Sequence, residues 1–300
     1  MLVVGSVALD SVQTPEGESA EALGGSAVYF SLAARHFAPV RMVGVVGTDF
    51  PDAHRELLIR CGVDIAGLQA VPGRTFRWVG RFGKDFNRAQ TLDTQLNVFE
   101  KFDPRLSPEQ ASCSVLFLAN IDPDLQRRVL EQMAAPKLVV CDTMNFWIGL
   151  KRKSLEELLT RIDVLIVNEE EAQQLSGDSN NVRAGLFLTR RGPRVVVVKK
   201  GEHGVLCVAG GVVHPLPAFP METVKDPTGA GDSFAGAFVG ALAEGSLDLR
   251  DIGALKRALA YGAVVSSVNV SDFSTRALET LTRPVIEERL RGYRELVNVS

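Results

Sequence analysis

Two carboxylates bracket a glycine-rich turn in Asp226-Pro227-Thr228-Gly229-Ala230-Gly231-Asp232-Ser233-Phe234, and this stretch holds the strongest chemistry in the chain. Gly229 and Gly231 let the backbone turn sharply and bring successive N–H groups to one point. Phe234, Ala237, Phe238, Ala241 and Leu242 follow at i, i+3, i+4, i+7 and i+8, which predicts a helix packed on a sheet. Amides at the positive end of a helix make an anion site. Asp232 would repel an anion held there, so its presence needs a reason. One reason is an N-cap, the ordinary role of an Asp at a helix start. The other is a general base beside a phosphate cradle, taking a proton from a hydroxyl as a phosphoryl group arrives. An extended segment over Val212 to Val224 is expected to lead into the turn. The chain has no G-x-x-x-x-G-K-[ST], and Gly229, Gly231 and Gly236 do not fit G-x-G-x-x-G.

Other polar residues fall where a sheet would deliver them to a ligand. Asp10 follows the apolar run Met1–Val4, at the carboxyl edge of an expected strand, where open parallel sheets bind ligands. A turn residue would look the same. Gly24-Gly25-Ser26 opens a helix with Val28, Leu32 and Ala33 on its apolar face. Asn120, Asp142 and Asn145 each follow a strand run, and each alone reads as readily as a cap or turn. Asn168-Glu169-Glu170-Glu171 starts a helix after a strand, where carboxylates complement the dipole. Such oxygens also suit a hard cation. Lys199 ends an apolar run, followed by Gly201 and Gly204, which shape a turn. A solvated Lys-Lys pair is the plain alternative.

The elements that must position these residues alternate. Val40–Gly47, Val115–Ala119, Leu138–Cys141, Val164–Val167 and Val195–Val198 read as buried strands. Pro51–Cys61, Asp124–Met133, Ser154–Arg161, Glu169–Leu175, Val182–Leu188, Asp251–Val270 and Pro284–Val297 read as helices. Apolar β-branched runs alternating with helices mean a parallel sheet covered on both faces. One region differs. From Thr75 to Phe82 the pattern alternates strictly, with Phe76, Trp78 and Phe82 on one side and Arg77 and Arg81 on the other. Turn residues at Pro72-Gly73 and Gly83-Lys84-Asp85 then predict an exposed hairpin continuing through Ala89 to Thr94. Its aromatic face must cover a ligand, the main domain or another subunit.

Three hundred residues, 46% of them apolar, suit one large α/β domain with at most a small appendage. A net charge of −3 without charged runs argues against nucleic-acid or membrane-surface partners. Cys61, Cys113, Cys141 and Cys207 form no CxxC pair and read as buried thiols rather than disulfides or zinc ligands. No apolar run reaches the roughly eighteen residues needed to span a bilayer, and no signal peptide is evident. A soluble cytoplasmic protein is expected.

The stretch 226–234 resembles the D-[TP]-T-G-A-G-D signature of the ribokinase-like (PfkB) carbohydrate kinase family. The Gly24-Gly25 pair, Val45-Val46-Gly47-Thr48-Asp49, the N-x-x-E at Asn168 and Glu171, and the K-x-G-x-x-G turn stand in the family's order across nearly the whole chain. The resemblance implies a three-layer α/β fold with a central, mostly parallel sheet and a small β-sheet lid. Residues 1–300 would form one kinase domain, with lid segments near 11–23 and 70–98. It also implies ATP and Mg²⁺ as cofactors, with room for a monovalent cation such as K⁺.

By resemblance, Asp232 is the catalytic base, and Gly229, Ala230 and Gly231 form the anion hole. Asp10, Gly24, Gly25, Tyr29, Trp78 and Asn145 fall to the substrate. Asn168, Lys199, Gly201, Gly204 and Thr228 fall to the nucleotide, and Glu171 and Asp226 to metal. Tyr29 stands where the usual G-G-x-x-x-N has Asn, as in branches acting on polyols such as myo-inositol or on nucleosides. Tyr261-Gly262-Ala263 replaces an Asn-containing segment at the adenine side. The implied activity is phosphorylation of a hydroxyl on a small sugar or polyol, with a nucleoside as the alternative and a homodimer through the lid. A non-catalytic sensor on the same fold is disfavoured by the intact Asp232. A dehydrogenase is disfavoured by the missing G-x-G-x-x-G after the first strand.

Overall fold

The computed structural model describes residues 1–297. Its first third runs Leu2–Val4 (β1), Ala8–Thr14 (β2), Gly17–Gly24 (β3), Ser26–Ala34 (α1), Val40–Gly47 (β4), Asp52–Arg60 (α2), Val63–Val71 (β5), Phe76–Phe82 (β6) and Ala89–Gln95 (β7). The middle runs Pro108–Ala111 (α3), Val115–Leu118 (β8), Pro123–Gln132 (α4), Leu138–Asp142 (β9), Asn145–Leu150 (α5), Arg152–Leu159 (α6), Val164–Asn168 (β10), Glu169–Ser176 (α7), Asn181–Thr189 (α8) and Val195–Lys199 (β11). The last part comprises Val205–Ala209 (β12), Val212–Leu216 (β13), Ala230–Glu244 (α9), Ile252–Asn269 (α10), Arg276–Thr280 (α11) and Arg283–Val297 (α12).

The large sheet has nine strands in the order β13-β12-β11-β10-β9-β8-β1-β4-β5. From β11 to β5 every neighbour is parallel, and β12 and β13 close the far edge antiparallel. Alternate residues enter separate cores: Val164 and Ile166 face one, Leu165 and Val167 the other. That double burial explains the unbroken apolar runs of the central strands. A second sheet, ordered β3-β2-β6-β7, stands apart from the first. Its β2–β6 pair is parallel and the other two pairs are antiparallel.

Helix α1 is buried along its whole length. Phe30 stacks on Phe117 of β8 at 4.1 Å, fixing the helix to the sheet. On its other side α9 approaches closely: a Cβ at Gly236 would fall 2.3 Å from the Phe30 carbonyl. The glycine turn at 226–232 is therefore mounted on a helix with almost no freedom to shift.

One expectation changes, and two stretches that carry no strand signal of their own are strands. The extended run expected over Val212–Val224 stops at Leu216, because Pro217 and Pro220 bring no N–H to a ladder. Strand β5 lies on an edge with half its residues exposed, so it lacks the apolar run that marks a central strand. The polar stretch after Asp10 is a strand pair, β2 and β3, whose outer positions face solvent. All four cysteines are free thiols. Among the described residues, no helix is long and apolar enough to cross a membrane.

Candidate active site

The glycine turn is held from below by side chains and left open above. Gly229 is the N-cap of α9 with φ 73°, a left-handed conformation that glycine takes without steric cost. A Cβ there would fall 2.3 Å from the ring of Tyr29, which packs flat beneath it. Asp232 is thus not the N-cap; it lies in the first turn, half-buried. Among the described residues, the Gly231 and Asp232 amides find no backbone acceptor. Asp226, 1% exposed, accepts from Thr228 N at 2.9 Å and from Ser274 N at 3.0 Å, so both its oxygens brace the turn. Asn269, fully buried at the end of α10, donates Nδ2 to the Thr228 carbonyl at 2.8 Å. Thr228 Oγ1 is buried without a partner.

Four charges converge beside the turn. The Lys199 side chain ends against Gly231, where a Cβ would fall 2.9 Å from Nζ. Its Nζ also pairs with Asp142 Oδ2 at 3.3 Å. Burial alone would lower the Lys199 pKa, but Asp142, Glu171 and Asp232 outweigh it and hold the ammonium charged. Burial pushes Asp232 up to about 7, with Asp142 adding to the shift and Lys199 opposing it. Burial likewise raises Glu171, against the pull of Lys199. Asn168 and Glu171 form a reciprocal capping box: Asn168 Oδ1 accepts from Glu171 N at 2.9 Å, and Glu171 Oε2 accepts from Asn168 N at 2.7 Å. The cap reading of this motif is realised, and the cap holds Glu171 beside Lys199, Asp142 and Asp232.

Asp142 is more than the cap or turn residue that its position alone favours. It ends β9, 4% exposed, and carries the only salt bridge to Lys199 among the described residues. A lone Asp after an apolar run gives no hint of this, because its partner lies two strands away across the sheet.

On the opposite side, Asp10 sits within β2 rather than in a turn. Its carboxylate lies over Gly24, where a Cβ would fall 1.9 Å from Oδ2. Gly25, at φ 97°, presses on the Ser6 carbonyl and opens α1. Burial, opposed by a hydrogen bond from the Gly25 backbone and aided by Asp226 and Asp232, pushes Asp10 up to about 7. Trp78 is directly across from Asp10 in the β2–β6 register. Its indole folds over Gly80 and donates Nε1 to Thr91 at 3.2 Å. Phe76 stacks on Phe99 at 5.4 Å, so that part of the aromatic face covers the protein itself. Tyr29 OH is buried without a hydrogen bond, and burial raises its pKa far above the usual range.

The loop between β6 and β7 reaches across to the Lys199 side. Asn87 lies against Gly201, where a Cβ would meet its Oδ1 at 1.7 Å. Arg88 pairs with Glu170 at 2.8 Å. Gly204, at φ 86°, closes the turn against the Leu216 carbonyl. Asn145 is not drawn into this arrangement: it is exposed at the first residue of α5.

Amides open at a helix start, a carboxyl raised toward neutrality and a half-buried cation suit transfer of a phosphoryl group to a hydroxyl. The profile of the pfkB family carbohydrate kinase matches residues 7–281. The chain belongs to that family. This kinase is 30% identical to a cytidine kinase from Thermococcus kodakarensis over 251 residues, 82% of this chain and 89% of the relative. It is 28% identical to a nucleoside kinase from Methanothermobacter thermautotrophicus, over 92% of this chain and 91% of that one. Its fold matches a ribokinase from Thermotoga maritima with a TM-score of 0.76 at 23% identity, over 97% of this chain and 98% of that one. The expected fold and enzyme class both hold: this is a ribokinase-fold phosphotransferase.

Proposed function

We propose that this kinase uses Mg-ATP to phosphorylate a hydroxyl of a neutral, sugar-bearing alcohol, with nucleosides ahead of free sugars and polyols. The observation that carries the reaction is Asp232 beside the free amides of Gly231 and Asp232, with Lys199 against Gly231. The observation that favours a nucleoside is the pair of relatives above, matched over most of this chain and named for cytidine and nucleosides.

Asp232 takes the proton of the attacking hydroxyl, and a carboxyl poised near 7 can do so at neutral pH. The amides of Gly229, Gly231 and Asp232, with Lys199, take up charge on the transferring group, whereas the Ala230 amide expected among them is spent on the Pro227 carbonyl at 3.1 Å. Asp10 accepts hydrogen bonds from acceptor hydroxyls, with Trp78 beside it and Gly24 and Gly25 allowing close backbone approach. Among the described residues, no three His, Cys, Asp or Glu side chains converge as a ready metal site. Mg²⁺ would enter with the nucleotide, with Glu171 and Asp142 the carboxylates that would hold it, whereas both oxygens of Asp226 are taken by the Thr228 and Ser274 amides. When bound, it neutralises charge on the transferring phosphate.

Purified protein with Mg-ATP is offered cytidine, inosine, ribose, fructose and myo-inositol, and ADP release is followed. Cytidine or inosine should exceed the free sugars in kcat/KM by about tenfold or more, the margin that lost base contacts would give. A free sugar or polyol preferred by that margin returns the acceptor to the simpler class. No ADP release with any acceptor, while Mg-ADP still binds, favours a sensor.

A further inference from the structure

Ser274 departs from the backbone rules at a place where two halves of the site meet. Apart from glycines, positive φ among the described residues occurs at Glu21 (45°), Asn97 (51°) and Ser274 (56°). Glu21 is exposed and Asn97 half-buried, whereas Ser274 is 7% exposed, in the turn between α10 and α11. A serine is held there against its backbone preference, and such residues persist only where their surroundings over-determine them.

The surroundings are two hydrogen bonds in opposite directions. Ser274 N donates to Asp226 Oδ2 at 3.0 Å, and Ser274 Oγ donates to the Leu23 carbonyl at 2.6 Å. Asp226 in turn braces Thr228, the residue before the anion-binding amides. Leu23 precedes Gly24, the residue against which the Asp10 carboxylate lies. One residue therefore touches the phosphate turn with its backbone and the acceptor-side hairpin with its side chain. Two further contacts run alongside. Thr14 Oγ1 of β2 donates to the Lys225 carbonyl at 2.8 Å, and the Phe273 ring lies 3.5 Å from where a Cβ of Gly17 would be.

We propose that Ser274 is a positioning residue that couples the phosphate turn to the β2–β3 hairpin, so that nucleotide bound at the amides fixes Asp10 and Gly24 for the acceptor. The proposal rests on the kinase reading. It asks more of Ser274 than holding α11 in place, because a merely structural residue would lower stability without linking the two halves.

Trp78 and Trp147 are the two tryptophans of the chain. In a Trp147→Phe background, Trp78 reports alone on the small sheet beside Asp10. Mg-ADP should change its emission. Ser274→Gly keeps the N–H to Asp226 and relieves the backbone but removes the bond to Leu23. The expected result is a Mg-ADP Kd by calorimetry within about threefold of the parent and a Trp78 response reduced about fivefold or more, as a lost coupling requires. A full response in Ser274→Gly, or none in the parent despite bound Mg-ADP, overturns the link. No heat from the parent strikes the kinase reading itself and takes the link with it. If the variant does not fold, amide exchange of the parent with and without Mg-ADP decides. Protection gained together at Leu23–Ser26 and at 226–231 supports the coupling, and gain at 226–231 alone overturns it.

Discussion

The proposed phosphoryl half of the site comes from consecutive residues, Asp226 to Asp232, joined by Lys199, whereas the proposed acceptor half is gathered from β2, β3, α1 and β6. The two halves are also supported differently. The glycine turn heads a helix locked against α1 and α10, and its carboxylate and carbonyl are tied by buried hydrogen bonds. The small sheet ends in β7, all seven of whose residues are exposed. The proposed chemistry therefore sits on a stiff local piece, whereas proposed recognition is shared between buried residues of β2, β3 and α1 and an exposed β6–β7 edge. Local unfolding of that edge costs little by comparison, since no residue of β7 is buried.

This contrast predicts a graded series. Asp232→Asn should lower kcat by roughly 10²–10⁴-fold with nucleotide affinity kept, the cost of a missing general base. In the parent, kcat/KM should fall as pH drops below about 7, because only the deprotonated Asp232 can accept the proton. An Asn variant with near-parental turnover would end the assignment. Gly229→Ala comes next. Its Cβ has no room beneath the turn at φ 73°, and misplaced amides should lower kcat by about 10–100-fold. Steady-state kinetics that show only a raised KM would contradict a rigid turn.

Trp78→Ala should act on the other half. KM for the best acceptor of the panel should rise about tenfold while kcat stays within about threefold, the mark of lost uniform binding. A kcat loss as deep as that of Asp232→Asn would erase the distinction between the halves. The smallest effect concerns stability. Asp10 is raised to about 7 from an ordinary 3.8, so between those values the folded protein holds a proton that the unfolded chain has lost. Stability therefore falls as pH rises through that window. Asp10→Asn should raise Tm at pH 8 by about 2–5 °C, with a smaller gain at pH 5. Thermal melts showing no pH dependence in that gain would remove Asp10 from the buried titrating groups.

The same contrast explains what could be read in the sequence. The 226–232 turn was legible because its residues are neighbours in the chain and their spacing alone defines the backbone. The central strands were legible because burial on both faces leaves only apolar residues. The Asp142–Lys199 pair was not, since the two residues are brought together by strands β9 and β11 lying on either side of β10. Ser274 gave no signal either: a serine between two helices looks like any loop residue, and its strain belongs to the backbone. Trp78, Phe76 and Phe82 were correctly placed on one face, yet the alternation could not tell that Phe76 is spent on Phe99.

The packing of Tyr29 under Gly229 has a consequence for anyone redesigning this enzyme. Under the proposed acceptor assignment, replacing Tyr29 by a smaller residue is the obvious way to enlarge the acceptor pocket. It would also take away the floor on which the phosphate turn rests, so every acceptor, old or new, would be turned over more slowly. Selectivity and speed share that one ring. Retargeting should begin instead at Trp78, which stands across from Asp10 in the β2–β6 pairing and packs on Gly80.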